Sequence, residues 1–267
     1  MSKELKFAIE LAKKAGNMGI KSMDRILIMK TKREKRDIAT NIDLEIEKMI
    51  REEIKKDYPQ RRIFGEEFGK SGDAGKNGFV WIIDPIDGTK YYSAGVKFFS
   101  VSIALWRDKE PVLGVICVPG FDEVYFAEKG TGAFCNNKKI KVSGINSLKD
   151  SIVCVDMTTK ERKMNSQEYK LITEKFGELL KNANRVRALG AGAIALSWLA
   201  KGAWEAYIDL SGQESILDIG AGLIIAKEAG AKISGLDGKF HGENVNNIVV
   251  TNGKIHDELL RLLNSKK

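Results

Sequence analysis

Hydrophobic and polar positions follow two different rhythms in the two halves of the chain. Over residues 3–23, Leu5, Ala8, Ile9, Ala12 and Ala15 share one helical face, followed by Met18, and predict an amphipathic helix. Ile42, Ile46, Met49, Ile50 and Ile54 predict a second helix, ended by Tyr58-Pro59. Between them, Ile26-Leu27-Ile28-Met29 reads as a short strand, and a basic segment runs on to about residue 40. Arg62-Ile63-Phe64 is a short strand, residues 71–78 are a loop by composition, and Phe79 to Ile83 is an apolar strand. The runs 98–106, 112–118 and 124–127 are β-rich and separated by turn residues, which predicts an antiparallel sheet. A Gly130-Thr131-Gly132 turn leads into Ala133-Phe134-Cys135, and Ile140-Lys141-Val142 closes this half.

The second half alternates strands with helices. Strands are expected at 152–155, 185–189, 204–210, 232–234 and 248–251, and helices at about 166–181, 190–201, 217–229 and 255–265. The composition shift near residue 148 divides the chain into an N-terminal α+β domain, 1–147, and a C-terminal α/β domain, 148–267.

Composition narrows the function classes. The 267 residues are 43% hydrophobic and 30% charged, ordinary values for a globular protein. No apolar run approaches the roughly 20 residues of a membrane span. Met1-Ser2-Lys3-Glu4-Leu5 lacks the apolar stretch of a signal peptide, so a cytoplasmic protein is expected. Cys117, Cys135 and Cys154 form no CxxC pair and read as small apolar fillers, not zinc ligands or a disulfide framework. The two histidines, His241 and His256, lie near the C-terminus, and His256 reads as a surface residue opening the last helix. This argues against histidine-activated nucleophiles. The net charge of +8 suits anionic substrates or nucleic acid, yet lysine and arginine are spread along the chain. The densest cluster, Lys30, Lys32, Arg33, Lys35 and Arg36, reads equally as a solvated loop or as a basic flap near a phosphate.

The run Trp81-Ile82-Ile83-Asp84-Pro85-Ile86-Asp87-Gly88-Thr89 carries the chemistry. An apolar strand empties into two carboxylates and a Gly-Thr step. Two acids just past a buried strand are costly unless something positive meets them, and oxygen ligands of this kind suit Mg²⁺. The Gly-Thr step offers backbone N–H groups and a hydroxyl to a phosphate. Three further acidic stations accompany it: Asp37-x-x-Thr40-x-x-Asp43, Glu66-Glu67 between glycines, and Asp218 at the start of a helix. Asp43 and Asp218 also suit helix caps.

Together, Gly65-Glu66-Glu67, the 81–89 run, and Asp218-x-x-Ala-Gly with Lys227-Glu228-Ala229-Gly230 resemble the inositol monophosphatase family of Mg²⁺-dependent, lithium-sensitive sugar phosphatases. The resemblance runs from about residue 5 to 262. It implies a layered α-β-α-β-α sandwich with the active site between the halves, and usually a homodimer. It also implies that Glu66, Asp84 and the Ile86 carbonyl bind one Mg²⁺, that Asp84, Asp87 and Asp218 bind a second, and that a weaker third leans on Glu66. Asp43 and Thr89 are then the pair that orients and deprotonates the attacking water. Gly88 and Thr89 meet the phosphate, while Glu67 and the flap residue Lys32 support the site. Asp87, Gly190, Gly192 and Asp209 are placed near the sugar hydroxyls, with Asp209 standing where the family more often has glutamate.

Departures from the family pattern bear on substrate choice. Lys90-Tyr91-Tyr92 follows Asp-Gly-Thr where Thr/Phe-Asn-Phe is common, and Asp-Gly-Thr-Lys also resembles the bisphosphate-nucleotidase branch. Leu217 replaces the usual tryptophan, and segment 210–216 is slightly long, as in archaeal members that also hydrolyse fructose 1,6-bisphosphate. The leading expectation is therefore hydrolysis of myo-inositol 1-phosphate or a related sugar phosphate. Fructose-1,6-bisphosphatase and 3′-phosphoadenosine 5′-phosphate or NADP phosphatase activities are the alternatives. Some bacterial relatives act in transcription complexes, but no aromatic-interleaved basic motif points to RNA here, and nucleic acid is not the expected partner.

Overall fold

The computed structural model describes residues 1–32, 37–72, 78–157 and 165–265; the side chains of residues 30–32, 37 and 166 fall outside that description. The first helix, α1 (Lys3–Lys21), starts where the Ser2 hydroxyl accepts from the Leu5 amide. A small hairpin, β1 (Ile28–Lys32) and β2 (Asp37–Thr40), precedes α2 (Asn41–Asp57). Then come β3 (Arg62–Gly65), β4 (Gly69–Ser71), β5 (Phe79–Asp87) and the short α3 (Thr89–Ser93). A meander follows: β6 (Ser100–Arg107), β7 (Glu110–Val118), β8 (Glu123–Glu128), β9 (Gly132–Cys135) and β10 (Lys138–Ile140). The remainder is β11 (Ile152–Asp156), α4 (Ser166–Asn182), β12 (Arg185–Ala188), α5 (Gly192–Ala200), β13 (Ala206–Asp209), α6 (Ile216–Glu228), β14 (Lys232–Ser234), β15 (Val249–Thr251) and α7 (His256–Asn264).

Two large sheets organise these elements. The eight-stranded sheet has the order β10-β9-β8-β7-β6-β5-β3-β4 and is antiparallel except for the β3–β5 pair. The five-stranded sheet has the order β12-β11-β13-β15-β14 and is mixed, with β11 parallel to both its neighbours.

Burial explains the unbroken apolar runs. A strand covered on both faces has no polar side to show. In β5, Trp81 and Ile83 join a core with α1 and α2, whereas Ile82 joins a core with α5 and α6. In β6, Val101, Ile103 and Leu105 face the first core, and Ala104 and Trp106 the second. Cys154, Tyr207 and Val250 close the second core from the five-stranded sheet. That sheet's other face packs Val153, Ala206 and Ile208 against Leu179 of α4 and Leu259 of α7. The layers are thus α1/α2, sheet, α5/α6, sheet, α4/α7: the expected α-β-α-β-α sandwich. Gly114 of β7 lets α6 sit directly on the sheet, since a Cβ there would lie 2.6 Å from the Ala221 carbonyl.

One expectation is corrected. His256 is fully buried, not on the surface. Its Nε2 lies 3.0 Å from Ser234 Oγ and its Nδ1 3.0 Å from Thr251 Oγ1. The first turn of α7 packs onto β14 and β15, which the Asn-Gly step before it does not reveal. Cys117 and Cys154 are buried and all three cysteines are free, in keeping with their reading as fillers.

Candidate active site

The end of β5 builds the centre. The β5–β6 ladder pairs Asp84 with Ser102 and Asp87 with Ser100, but is irregular between them. Pro85 has no amide to donate, and the strand bulges. The Ile86 amide instead donates to Asp84 Oδ1 at 3.0 Å. Gly88 follows with φ +90°, and a Cβ there would press on the Phe98 carbonyl at 2.9 Å, so only glycine fits. Thr89 opens α3; its hydroxyl donates to the Ile86 carbonyl at 2.8 Å and lies 3.4 Å from Asp43 Oδ1.

The other acids arrive on helix starts and a strand end. Asp43 is the third residue of α2, where it forms a capping box with Thr40. Asp218 occupies the same position in α6, and its Oδ2 accepts from the Ser215 amide at 2.9 Å and hydroxyl at 2.7 Å. Glu66 follows β3, and its amide donates to the Ile83 carbonyl at 3.2 Å, tying it to β5. Asp87 Oδ2 accepts from the Ala193 amide at 3.1 Å and Ser100 Oγ at 3.3 Å. It thereby caps α5, whose N-terminus has no side-chain cap of its own.

Charge is concentrated here. Asp84 is buried, and burial together with the charges of Glu66, Asp87 and Asp218 holds its carboxyl well above the usual range. It is also within hydrogen-bonding reach of the Glu66 carboxylate. Burial raises Asp43 to about 6, against the bonds from Thr40 that favour its charged form. Such a cluster needs protons or cations to offset its repulsion. Lys90 is the one basic residue lining the cleft among the described residues. The donors are all oxygen, the set preferred by hard divalent cations such as Mg²⁺. Among the described residues, no group of three or more acidic, histidine or cysteine side chains is placed so as to hold a metal ion as it stands.

The cleft holds about 390 Å³. Its lining combines the carboxylates Glu66, Asp84, Asp87 and Asp218 and the 86–89 turn with Tyr91, Ala94, Leu189, Gly190 and Ile38 of β2. A larger hollow of about 820 Å³ lies between α1 and the residues after β7, lined by scattered lysines, asparagines and single acids. Chemistry, not size, selects the smaller one.

Glu66, Asp84, Ile86, Asp87, Gly88, Thr89, Gly190 and Asp218 therefore share one cleft, with Asp43 behind Thr89. Gly192 starts α5 outside the lining, and a Cβ there would meet Glu214 and Tyr207. Asp209, expected near the sugar, is fully buried and is not part of the cleft lining. Its Oδ1 accepts from Ser211 and Gly212, and its Oδ2 from the amides of Glu214 and Asn247. The carboxylate organises the 211–214 turn. Glu67 adjoins the cleft, but its side chain is not part of the lining. Lys32 pairs with Asp37 through the β1–β2 backbone; its side chain, and the cluster residues Arg33, Lys35 and Arg36, lie outside the described residues. The sequence reading missed the wall formed by Tyr91 and Leu189, joined by a 2.6 Å hydrogen bond from the Tyr91 hydroxyl to the Leu189 carbonyl. The only signal for it was that Tyr91 departs from the motif.

A profile of the Inositol monophosphatase family matches residues 1–267. The chain belongs to this family. It is 36% identical over 261 residues to the fructose-1,6-bisphosphatase/inositol-1-monophosphatase of Thermotoga maritima, covering 97% of this chain and 95% of that protein. It is 31% identical to the Nus factor SuhB of Xylella fastidiosa over 86% of this chain and 81% of the relative. The solved IMPase of Thermotoga maritima superposes with a TM-score of 0.86 at 32% identity, covering 98% of this chain and 97% of that one. As an inositol monophosphatase family member the chain is a phosphomonoesterase, of a family that is generally metal-dependent.

Proposed function

We propose that this phosphatase hydrolyses myo-inositol 1-phosphate or a closely related sugar phosphate with Mg²⁺. One observation carries the reading: Glu66, Asp84, Asp87 and Asp218 surround a single cleft beside Gly88 and Thr89. Two Mg²⁺ ions, with a weaker third, would lower the pKa of an attacking water and neutralise charge on the phosphoryl oxygens. Glu66, Asp84, Asp87, Asp218 and the Ile86 carbonyl are the groups to hold them, Asp84 being central to the other three acids. Thr89 orients the water, and Asp43, ionised at neutral pH with a pKa of about 6, receives its proton through the Thr89 hydroxyl. Gly88 and Thr89 meet the phosphate. Asp87 and Gly190 face the sugar.

A second phosphate is the alternative, as in fructose 1,6-bisphosphate. Lys90 at the cleft favours it, as does the name of the Thermotoga maritima relative. The SuhB relatives suggest a role in transcription complexes, for which the cleft supplies no reason. A homodimer would cover Phe121, which is half exposed beside Phe98 and Trp198. No helix is long and apolar enough to cross a membrane among the described residues, and three free thiols suit a reducing cytoplasm.

The test is phosphate release with Mg²⁺ from inositol 1-phosphate, fructose 1,6-bisphosphate, 3′-phosphoadenosine 5′-phosphate and NADP. Highest kcat/KM on inositol 1-phosphate is expected. No release from any of the four by folded, Mg²⁺-loaded protein refutes the proposal.

A further inference from the structure

The face of α2 that carries Asp43 carries two more buried charges, Glu47 and Arg51, one turn apart. Neither lines the cleft. Burying an ion pair inside a helix–sheet interface costs more than its attraction returns unless its remaining hydrogen bonds are filled. Here they are filled by one segment, residues 67–71, the turn after Glu66 together with β4. Glu47 Oε2 accepts from the Glu67 amide at 2.6 Å. Its Oε1 accepts from the Phe68 amide at 3.2 Å and from Arg51 Nε at 2.7 Å. Arg51 in turn donates to Ser71 Oγ at 2.8 Å and to the Gly69 carbonyl. Gly65 completes the fit, because a Cβ there would overlap the Glu47 carboxylate.

The consequence falls on Glu66. Its own amide is held by the Ile83 carbonyl, one residue before Asp84. The next two amides are held by Glu47. Glu66 is thus fixed from both sides, to the strand that carries Asp84 and to the helix that carries Asp43. Left to repulsion alone, Glu66 would swing away from Asp84, and the turn bonds resist this.

We propose that Glu47 and Arg51 are positioning residues that hold the Glu66 carboxylate beside Asp84 in readiness for a divalent cation. The inference rests on the metal-dependent reading above. Neither residue touches substrate. Their effect belongs in cation affinity, where partners behind a ligand typically account for about 10–100-fold.

The experiment is calorimetric titration with Mg²⁺ in the absence of substrate, alongside kcat and KM as functions of Mg²⁺. Glu47→Gln keeps the shape but loses the charge that orders the two amides. Arg51→Lys keeps the charge but loses the fork to Ser71 and Gly69, and serves if Glu47→Gln does not fold. Each is expected to weaken Mg²⁺ binding about 10-fold. Saturating Mg²⁺ should restore most of kcat, with KM for substrate unchanged. Wild-type affinity in a folded variant overturns the inference, as does a fall in kcat that Mg²⁺ does not relieve. Failure of the wild-type protein itself to bind Mg²⁺ would refute the underlying metal reading instead, so the two failures are distinguishable.

Discussion

His256 offers a test of the fold that is independent of catalysis. The ring is fully buried between two hydroxyls, Ser234 and Thr251. Burial, reinforced by the nearby Lys232 charge, lowers its pKa from 6.5 to about 4, with only Asp257 pulling the other way. The folded state therefore refuses a proton that the unfolded chain accepts. About one unit above pH 6.5 neither state is protonated and the residue contributes no pH dependence. Between 6.5 and 4 the unfolded state binds more protons, so stability falls as pH falls. Linkage gives a loss of about 1.4 kcal/mol by pH 5.5 and about 2.5 kcal/mol by pH 4.5, levelling off at about 3.4 kcal/mol below pH 4.

The measurement is urea unfolding of wild type and His256→Gln, both in EDTA, across this range. The carboxylates of the cleft also titrate, but they are common to both proteins and cancel in the difference. At pH 7.5 the variant should be less stable by about 2 kcal/mol, the scale of disturbing two buried hydrogen bonds. Acidification to pH 4.5 should remove about 2.5 kcal/mol from wild type alone, closing the gap and leaving the variant about 0.5 kcal/mol the more stable. A gap that stays constant with pH would show that His256 titrates alike in both states. A widening gap would mean the folded protein stabilises the imidazolium, and the burial reasoning would have the wrong sign.

Other predictions concern the cleft. Asp84→Asn should abolish turnover and Mg²⁺ binding, yet raise the melting temperature in EDTA at neutral pH by a few degrees, at about 2–4 °C per kcal/mol, because it removes one of four crowded carboxylates; an unchanged or lower metal-free Tm would contradict the electrostatic account. Thr89→Ala removes the hydroxyl between the Ile86 carbonyl and Asp43 and should lower kcat on the order of 10²–10⁴-fold while Mg²⁺ affinity holds; a parallel collapse of metal binding in calorimetry would argue against water orientation. Tyr91→Phe frees the Leu189 wall at the cost of one hydrogen bond, about 1 kcal/mol, and should change KM and the preference between inositol 1-phosphate and fructose 1,6-bisphosphate more than kcat. Steady-state kinetics on both substrates would check this, and an altered Mg²⁺ requirement would count against it.

Much of this architecture was legible because local pattern and global burial agree. The apolar run before Asp84 reads as a buried strand, and it is one, covered on both faces. What stayed hidden depends on partners distant in sequence. Glu47 and Arg51 are charged letters on an amphipathic helix, whose default is solvent; only the turn at 65–69, folded back onto α2, makes their burial tolerable. Asp209 ends a strand within reach of the expected sugar site, but Ser211 and Gly212 just after it offer a turn the carboxylate can organise locally, and it does so.

The capping motifs carry a further lesson about how the site is built. Asp43 and Asp218 suit helix caps in the sequence, and in the structure each is the acid of a capping box beside the cleft, with Thr40 and with Ser215. Asp87 repeats the pattern in trans, capping α5 while facing the cleft. A cap fixes a carboxylate to rigid backbone without spending both its oxygens: Asp43 gives Oδ2 to Thr40 and keeps Oδ1 toward Thr89. Caps are worth about 1 kcal/mol each, so these acids return part of the stability that their mutual repulsion removes. It follows that alanine at Asp43 or Asp218 confounds folding with chemistry. Asparagine, which still caps but carries no charge, separates them: metal-free stability should hold or rise while turnover is lost.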